Sequence, residues 1–394
     1  MAADNQTSSV SEELGSERQV IDVDYAKHYQ VRDALLKTLK NLNESSRTQG
    51  VIPQLKPHFI SLNKKGKTSA AYLCSPDTGH IATGLTDLGW GCGYRNCQML
   101  MTFLQRQQHE GAPLLDMVLN IKGLQLLIEQ AWNEGFDPEG AQQLRYQVYR
   151  TRKWIGTTEV YTLLTYLGIR CTILDFDKRT GPNNSHDAMF DWIQAYFEDD
   201  IEKKTDDGPS PSTNALDHLM ESAKNNRPIV HITSRPPIYI QHSGHSRTVI
   251  GIEVLNDGNR NLIMFDPGHR ILGTYKRKVS EPEDDMSTSS IISVINENED
   301  AAFQPEEETT SKGVMGKLQQ WTTVPPSNLL RSFRVSSKTI AKNKQYQLLV
   351  LGEVKQESHP DKKFKNLYWN RSAGYLLDAQ EREQRKKIGS FRVV

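Results

Sequence analysis

The residues with the most chemical promise lie in "TDLGWGCGYRNCQML", Thr86 to Leu100, where Cys92 stands between two glycines, behind a tryptophan, and at the start of a helical pattern. A thiol attacks acyl carbon only as its thiolate, so a nucleophilic cysteine needs a lowered pKa. A helix N-terminus supplies about half a positive charge from its unpaired N–H groups. Cys92 at the mouth of the helix read from "GYRNCQMLMTFLQRQQ" meets that requirement, and Gly91 and Gly93 would let backbone N–H groups approach a developing oxyanion. The competing readings are a buried filler, the commoner fate of a cysteine, and a metal ligand. The four cysteines (Cys74, Cys92, Cys97 and Cys171) form no CxxC pair, which disfavours the metal. Cys97 lies inside the helix and reads as a core thiol.

A nucleophilic cysteine requires a base and a group that orients the base. "IQHSGHSRTVIGIE" offers His242 and His245. His245 enters the strand read at Arg247–Val254, and Asp266 closes the neighbouring strand in "LIMFDPG", so antiparallel pairing would set His245 beside Asp266 and complete a Cys-His-Asp arrangement. His242 reads as a loop residue at the rim, and His269 in "DPGHR" is the rival base. A metal pair made of His242 and His245 finds no acidic or cysteine ligand nearby to complete it. With His245 as base, activity is expected to rise through its titration near neutrality.

The elements that must hold these residues follow from periodicity. The polar residues 1–22 read as disordered. Segment 23–49 contains an amphipathic helix at Asp24–Asn43, with Val31, Leu35, Leu39 and Leu42 on one face. A body at 50–355 carries helices after Cys92, around Leu114–Glu134 and at Ala141–Arg150. Another follows Thr157 or Thr158 and stops at Gly168, ahead of a buried strand at Arg170–Phe176. Strands at Pro228–Thr233, Arg247–Val254 and Asn261–Asp266 suggest an antiparallel meander, and "YQLLVLGEV" reads as the last strand. Insertions are expected near 178–213, around a helix at Asp187–Phe197, and near 276–314, where the chain turns acidic; a further helix is read at Ala215–Asn225. Residues 356–394 read as a charged tail. Hydrophobic residues make up 37% of the chain and the formal net charge is zero, so nucleic acid is not the expected partner. The N-terminus lacks the order of a signal peptide and no apolar run reaches a bilayer span, so no membrane partner is expected. Reduced cysteines fit the cytoplasm or nucleus.

Taken together, "DLGWGCGYRNCQML", "GFDPEGA", "WIGTTEVYTLL", "GHSRTVIGIE" and "LIMFDPG" resemble the papain-like peptidases that include the ubiquitin-fold-modifier-specific proteases and a zinc-finger-bearing deubiquitinase. The likeness spans about residues 70–268. It is greatest to the deubiquitinase branch, because the other branch places its histidine in "DPH" where this chain has "DPG". The resemblance implies an α+β papain-like fold, with a helical half carrying Cys92 packed on a mainly antiparallel sheet carrying His245 and Asp266. It implies a thiol peptidase without a cofactor, cutting after the C-terminal glycine of ubiquitin or a ubiquitin-like modifier, polyubiquitin conjugates included. Cys92 would be the nucleophile, His245 the base and Asp266 its carboxylate. Thr86 stands where papain-like enzymes carry a glutamine, so His80 becomes the candidate oxyanion donor beside the Cys92 N–H, and Trp90 would narrow the channel to glycine. The zinc-finger cysteines of the relative are missing, leaving the helix at Asp24–Asn43 or "IISVINENED" as candidate modifier-binding segments. The alternatives are a protease for ubiquitin-fold modifier, a non-catalytic modifier-binding module and a small-substrate thiol hydrolase.

Overall fold

A computed structural model describes residues 39–41, 46–205, 228–271, 326–357 and 366–394. Most of the helix read at Asp24–Asn43, all of that at Ala215–Asn225 and the acidic stretch around 276–314, with "IISVINENED", lie outside the described residues. Of the first, Leu39 packs against the core and Asn41 bridges Leu119.

The helical half begins with α1 (Val51–Lys64), which buries Val51, Ile52, Leu55, Phe59 and Leu62 at helical spacing. In α2 (Cys92–Leu104), every residue from Gly93 onward is buried. A helix hidden all round must satisfy its polar side chains internally. In α2 Gln98 donates to the Leu119 carbonyl at 2.6 Å, Thr102 Oγ1 accepts from the Gly79 N–H at 2.8 Å and Tyr94 donates to the Lys153 carbonyl at 3.3 Å, while Arg95 and Asn96 serve the site. α3 (Ile121–Asn133) is capped by the Asn120 side chain, which accepts from the Gly123 N–H at 2.8 Å. In α4 (Thr157–Tyr166), Glu159 reaches back to the Gly156 N–H at 2.7 Å. The helix read at Ala141–Arg150 is only Pro138–Gln143, because Arg145, Tyr146 and Arg150 take left-handed backbone at φ 51°, 52° and 57°. The region 178–213 is a partial correction too. Its helix, α5, runs on to Thr205 (Asp187–Thr205) and buries Met189, Phe190, Ile193 and Phe197, so residues 187–197 belong to the body.

A nine-stranded sheet forms the other half. Its strands are β1 (Thr68–Leu73), β2 (Cys171–Phe176), β3 (Val230–Ile232), β4 (Ile238–His242), β5 (His245–Leu255), β6 (Arg260–Phe265), β7 (Arg334–Ser336), β8 (Tyr346–Leu351) and β11 (Ser390–Arg392). The order along the main path is β7-β6-β5-β4-β8-β2-β11, with β1 pairing β3 and the far half of β5. Strand β8, from "YQLLVLGEV", lies between β4 and β2 and is antiparallel to both. The meander is β4-β5-β6; β3 instead runs parallel to β1. Strand β4 ends on His242, which is therefore a sheet residue and not a loop one, and Ser243–Gly244 form a two-residue turn with Gly244 at φ 87°. Gly251 of β5 is required by a close approach, because a Cβ there would sit 2.3 Å from the Tyr72 carbonyl oxygen.

The described residues of the segment read as a charged tail are part of the body. β9 (Glu353–Glu357) pairs β10 (Asn366–Asn370), α6 (Ala379–Gln384) follows, and β11 adds to β2 in parallel. Arg382 of α6 is 3% exposed, donates to the Tyr166 carbonyl at 3.3 Å, pairs with Glu134 at 3.7 Å and stacks over Phe136.

Candidate active site

Cys92 is the first residue of α2, and the loop before it is built around one buried ion pair. Both oxygens of Asp87 accept from Arg95, Nε to Oδ2 and Nη2 to Oδ1 at 2.8 Å each, with Asp87 1% exposed. Arg95 lies on the first turn of α2, so the pair ties the loop to the helix that presents the thiol. Such a bidentate pair combines charge with fixed geometry. The flanking glycines have a reason different from oxyanion access. A Cβ on Gly91 would stand 2.6 Å from Asp87 Oδ2, and one on Gly93 would stand 2.3 Å from the Ile155 carbonyl oxygen. The Gly91 N–H already donates to the Asp87 carbonyl at 2.8 Å. Gly91 therefore serves packing and is not a free oxyanion donor.

On the sheet side, β5 and β6 pair with Thr248 opposite Phe265. Extending that register by one residue sets Asp266 opposite Arg247, and His245 lies two residues along β5 on the same face. Both side chains reach one carboxylate oxygen: His245 Nε2 is 3.3 Å and Arg247 Nε 2.7 Å from Asp266 Oδ2. Oδ1 accepts from the Gly268 N–H at 2.9 Å. The His245 side chain also hydrogen-bonds Cys92. The structure thus brings Cys92, His245 and Asp266 together in one chain of contacts.

The electrostatics follow from those contacts. Burial alone pushes the Cys92 thiol up, but hydrogen bonds to the His245 and Ser246 side chains and the Ser246 backbone, with the His245 charge, outweigh it and lower the pKa. His245 is raised to about 9 by its bond to Asp266 first, then by its bond to Cys92, against burial. Burial disfavours the Asp266 carboxylate, yet the bonds from His245, Gly268 and Arg247 hold it well below the usual carboxylate range. With its pKa raised to about 9, His245 is expected to titrate on the alkaline side of neutrality, whereas the sequence reading sets its titration near neutrality. His242, on the same hairpin, goes the other way, lowered by burial and by the charges of Arg247 and His245.

Behind the sulfur lies a polar layer that the sequence reading did not single out. Asn96, one turn into α2 and wholly buried, donates to the Cys92 carbonyl at 2.8 Å and to Ser246 Oγ at 3.1 Å, and accepts from Thr248 Oγ1 at 2.8 Å. It stitches the nucleophile's helix to the strand of the base. Ser246 and Thr248 alternate with His245 and Arg247 along β5, so the period-two pattern of "HSRT" was the available signal. From the end of β4, Gln241 accepts from the Thr157 N–H at 2.7 Å and joins the sheet to α4.

Of the other predicted residues, His80 is 1% exposed, lies edge-on to Phe265, and its Nε2 is 3.1 Å from the backbone carbonyl of Asp266. It buttresses the carboxylate's backbone, a correction to its reading as an oxyanion donor. Trp90 lies edge-on to Tyr94 and donates through Nε1 to the Thr86 carbonyl at 3.1 Å, so it lines the loop beside Cys92. His269 is exposed on the turn after Asp266, and the imidazole bonded to Cys92 is that of His245.

A buried helix opening on a cysteine, packed against a mixed, mainly antiparallel sheet that carries a histidine and an aspartate, is the architecture of papain-like cysteine peptidases. The sequence profile of Peptidase family C78 matches residues 67–349, and the chain belongs to that family. It is similar to the zinc finger-containing ubiquitin peptidase 1 of Mus musculus, with 40% identity over 224 residues, 57% of this chain and 34% of that protein. It is similar as well to the ubiquitin carboxyl-terminal hydrolase mug105 of Schizosaccharomyces pombe, at 33% identity over 187 residues, 47% of this chain and 62% of that one. A probable Ufm1-specific protease 1 of Drosophila melanogaster is 28% identical over 116 residues, 29% of this chain and 42% of that protein. The chain thus spans 34% of the length of the mouse relative it matches.

Proposed function

We propose that the chain is a cysteine peptidase that hydrolyses the isopeptide or peptide bond after the C-terminal glycine of ubiquitin or a ubiquitin-like modifier. The observation that carries this reading is the His245 imidazole bonded at once to the Cys92 thiol and to the Asp266 carboxylate. In the first step the Cys92 thiolate attacks the glycine carbonyl carbon. The tetrahedral oxyanion forms near the Cys92 N–H at the mouth of α2. The C–N bond then breaks, the His245 imidazolium gives its proton to the departing amine, and a thioester remains. In the second step His245 takes a proton from water, hydroxide displaces sulfur, and the modifier leaves with a free carboxylate. Asp266 stays ionised throughout and orients the ring.

Ubiquitin, in conjugates and chains, is the favoured substrate, because the relatives whose names include ubiquitin share 33% to 43% identity with this chain. The second reading is a protease for ubiquitin-fold modifier, favoured by the 28% likeness to the probable Ufm1-specific protease. Either reaction needs a thiolate kept reduced, which suits the cytoplasm or nucleus. The test is to offer ubiquitin and ubiquitin-fold modifier, each with an electrophile at its C-terminus, and look for a covalent adduct by mass. Capture of ubiquitin, lost in Cys92→Ala, is the expected result. Capture of ubiquitin-fold modifier alone would select the second reading, and capture of neither would overturn both.

A further inference from the structure

The two most exposed large apolar side chains among the described residues are Leu85, at 94%, and Leu88, at 67%, and both lie on the loop that leads into Cys92. That loop is fastened. The Gly84 N–H donates to Asp87 Oδ1 at 3.0 Å, and the Trp90 and Gly91 N–H groups donate to the Asp87 carbonyl. Asp87 is locked to Arg95 of α2. At the other end, the Thr83 N–H and hydroxyl both donate to the Pro267 carbonyl, at 2.8 and 3.1 Å. Two leucines held in solvent by a loop pinned at both ends form a pre-ordered apolar surface, which a partner can cover without first ordering the loop.

The tether says which part of a substrate meets it. Pro267 follows Asp266, so the loop lies on the side of the Asp266–His245 pair. During acylation His245 hands its proton to the departing amine, which must therefore lie on the imidazole side of the sulfur. We propose that Leu85 and Leu88 dock an apolar surface of the leaving-group protein, the one that carries the modifier on its amine. This inference rests on the peptidase reading of Cys92 and His245.

The test uses the full chain with Leu85→Asp and Leu88→Asp combined, and two substrates that share one acyl group: lysine-linked di-ubiquitin, and ubiquitin bearing an aminocoumarin at its C-terminus. The variant is expected to raise KM for di-ubiquitin at least about tenfold, the change that losing the burial of one leucine alone would give. Its kcat/KM on the aminocoumarin substrate should stay within about twofold of wild type, which also reports that the site is intact. Equal loss on both substrates would mean that the leucines serve the acyl donor or hold the loop, and no loss on either would mean that nothing docks there; each result overturns the proposal. If wild-type protein releases product from neither substrate, the peptidase reading fails with it; if it cleaves both and the variant matches it, only the docking inference fails.

Discussion

Replacing Asp266 with asparagine keeps the side chain's shape and an oxygen that can accept from His245, but removes the charge. In the wild type the bond to Asp266 is the largest of the influences that raise His245 to about 9. A raised imidazole pKa means that the imidazolium is present below that value and lost as pH climbs through it. With the thiolate–imidazolium pair as the active form, kcat/KM should therefore fall on an alkaline limb near 9. Without the carboxylate the limb should drop back toward the ordinary value of about 6.5. At about pH 8 the imidazolium fraction then goes from roughly 0.9 to roughly 0.03, a loss of about thirtyfold, whereas at about pH 6 the loss is under about twofold. The assay is kcat/KM for ubiquitin aminocoumarin across that range, wild type against Asp266→Asn. An alkaline limb that stays near 9, or a loss of equal size at both ends, would refute the claim that Asp266 acts through its charge on His245.

Three further outcomes follow from the packing around the site. Asp87→Ala leaves the Arg95 guanidinium buried without its carboxylate, a loss of about 3–5 kcal/mol in denaturant unfolding, and slower alkylation of Cys92 should accompany it; unchanged stability would mean that the pair does not hold the loop. Asn96→Ala removes the partner of the Ser246 and Thr248 hydroxyls and of the Cys92 carbonyl, and should lower stability by about 1–3 kcal/mol in thermal melts. Iodoacetamide near neutral pH should label Cys92 well before the other three cysteines. Burial pushes the thiols of Cys74 and Cys97 up to about 12 and raises that of Cys171 as well; even labelling in a peptide map would contradict the lowered Cys92 pKa.

Much of the site could be read from the letters alone. A cysteine before a helical pattern, a histidine opening one strand and an aspartate closing the next are local statements. They suffice because helix mouths and paired strand ends have few geometries. "YQLLVLGEV" is legible as a strand, being apolar on both faces, but not as the last one, because β9, β10 and β11 follow it and it lies inside the sheet. The sequence could not say why Gly91 and Gly93 are glycines. Oxyanion access and close packing demand the same residue, and only the positions of Asp87 and Ile155 separate them. Nor could it place His80, whose partner is a backbone carbonyl 186 residues away. The last residues misled for a related reason. "EREQRKK" is charged by composition, yet Arg382 is buried against Glu134 and Phe136, and Ser390–Arg392 pair with a strand laid down far earlier. Periodicity records which face of a segment avoids water. Which distant segment comes to cover that face, or to neutralise a charge on it, is decided only when the chain is folded.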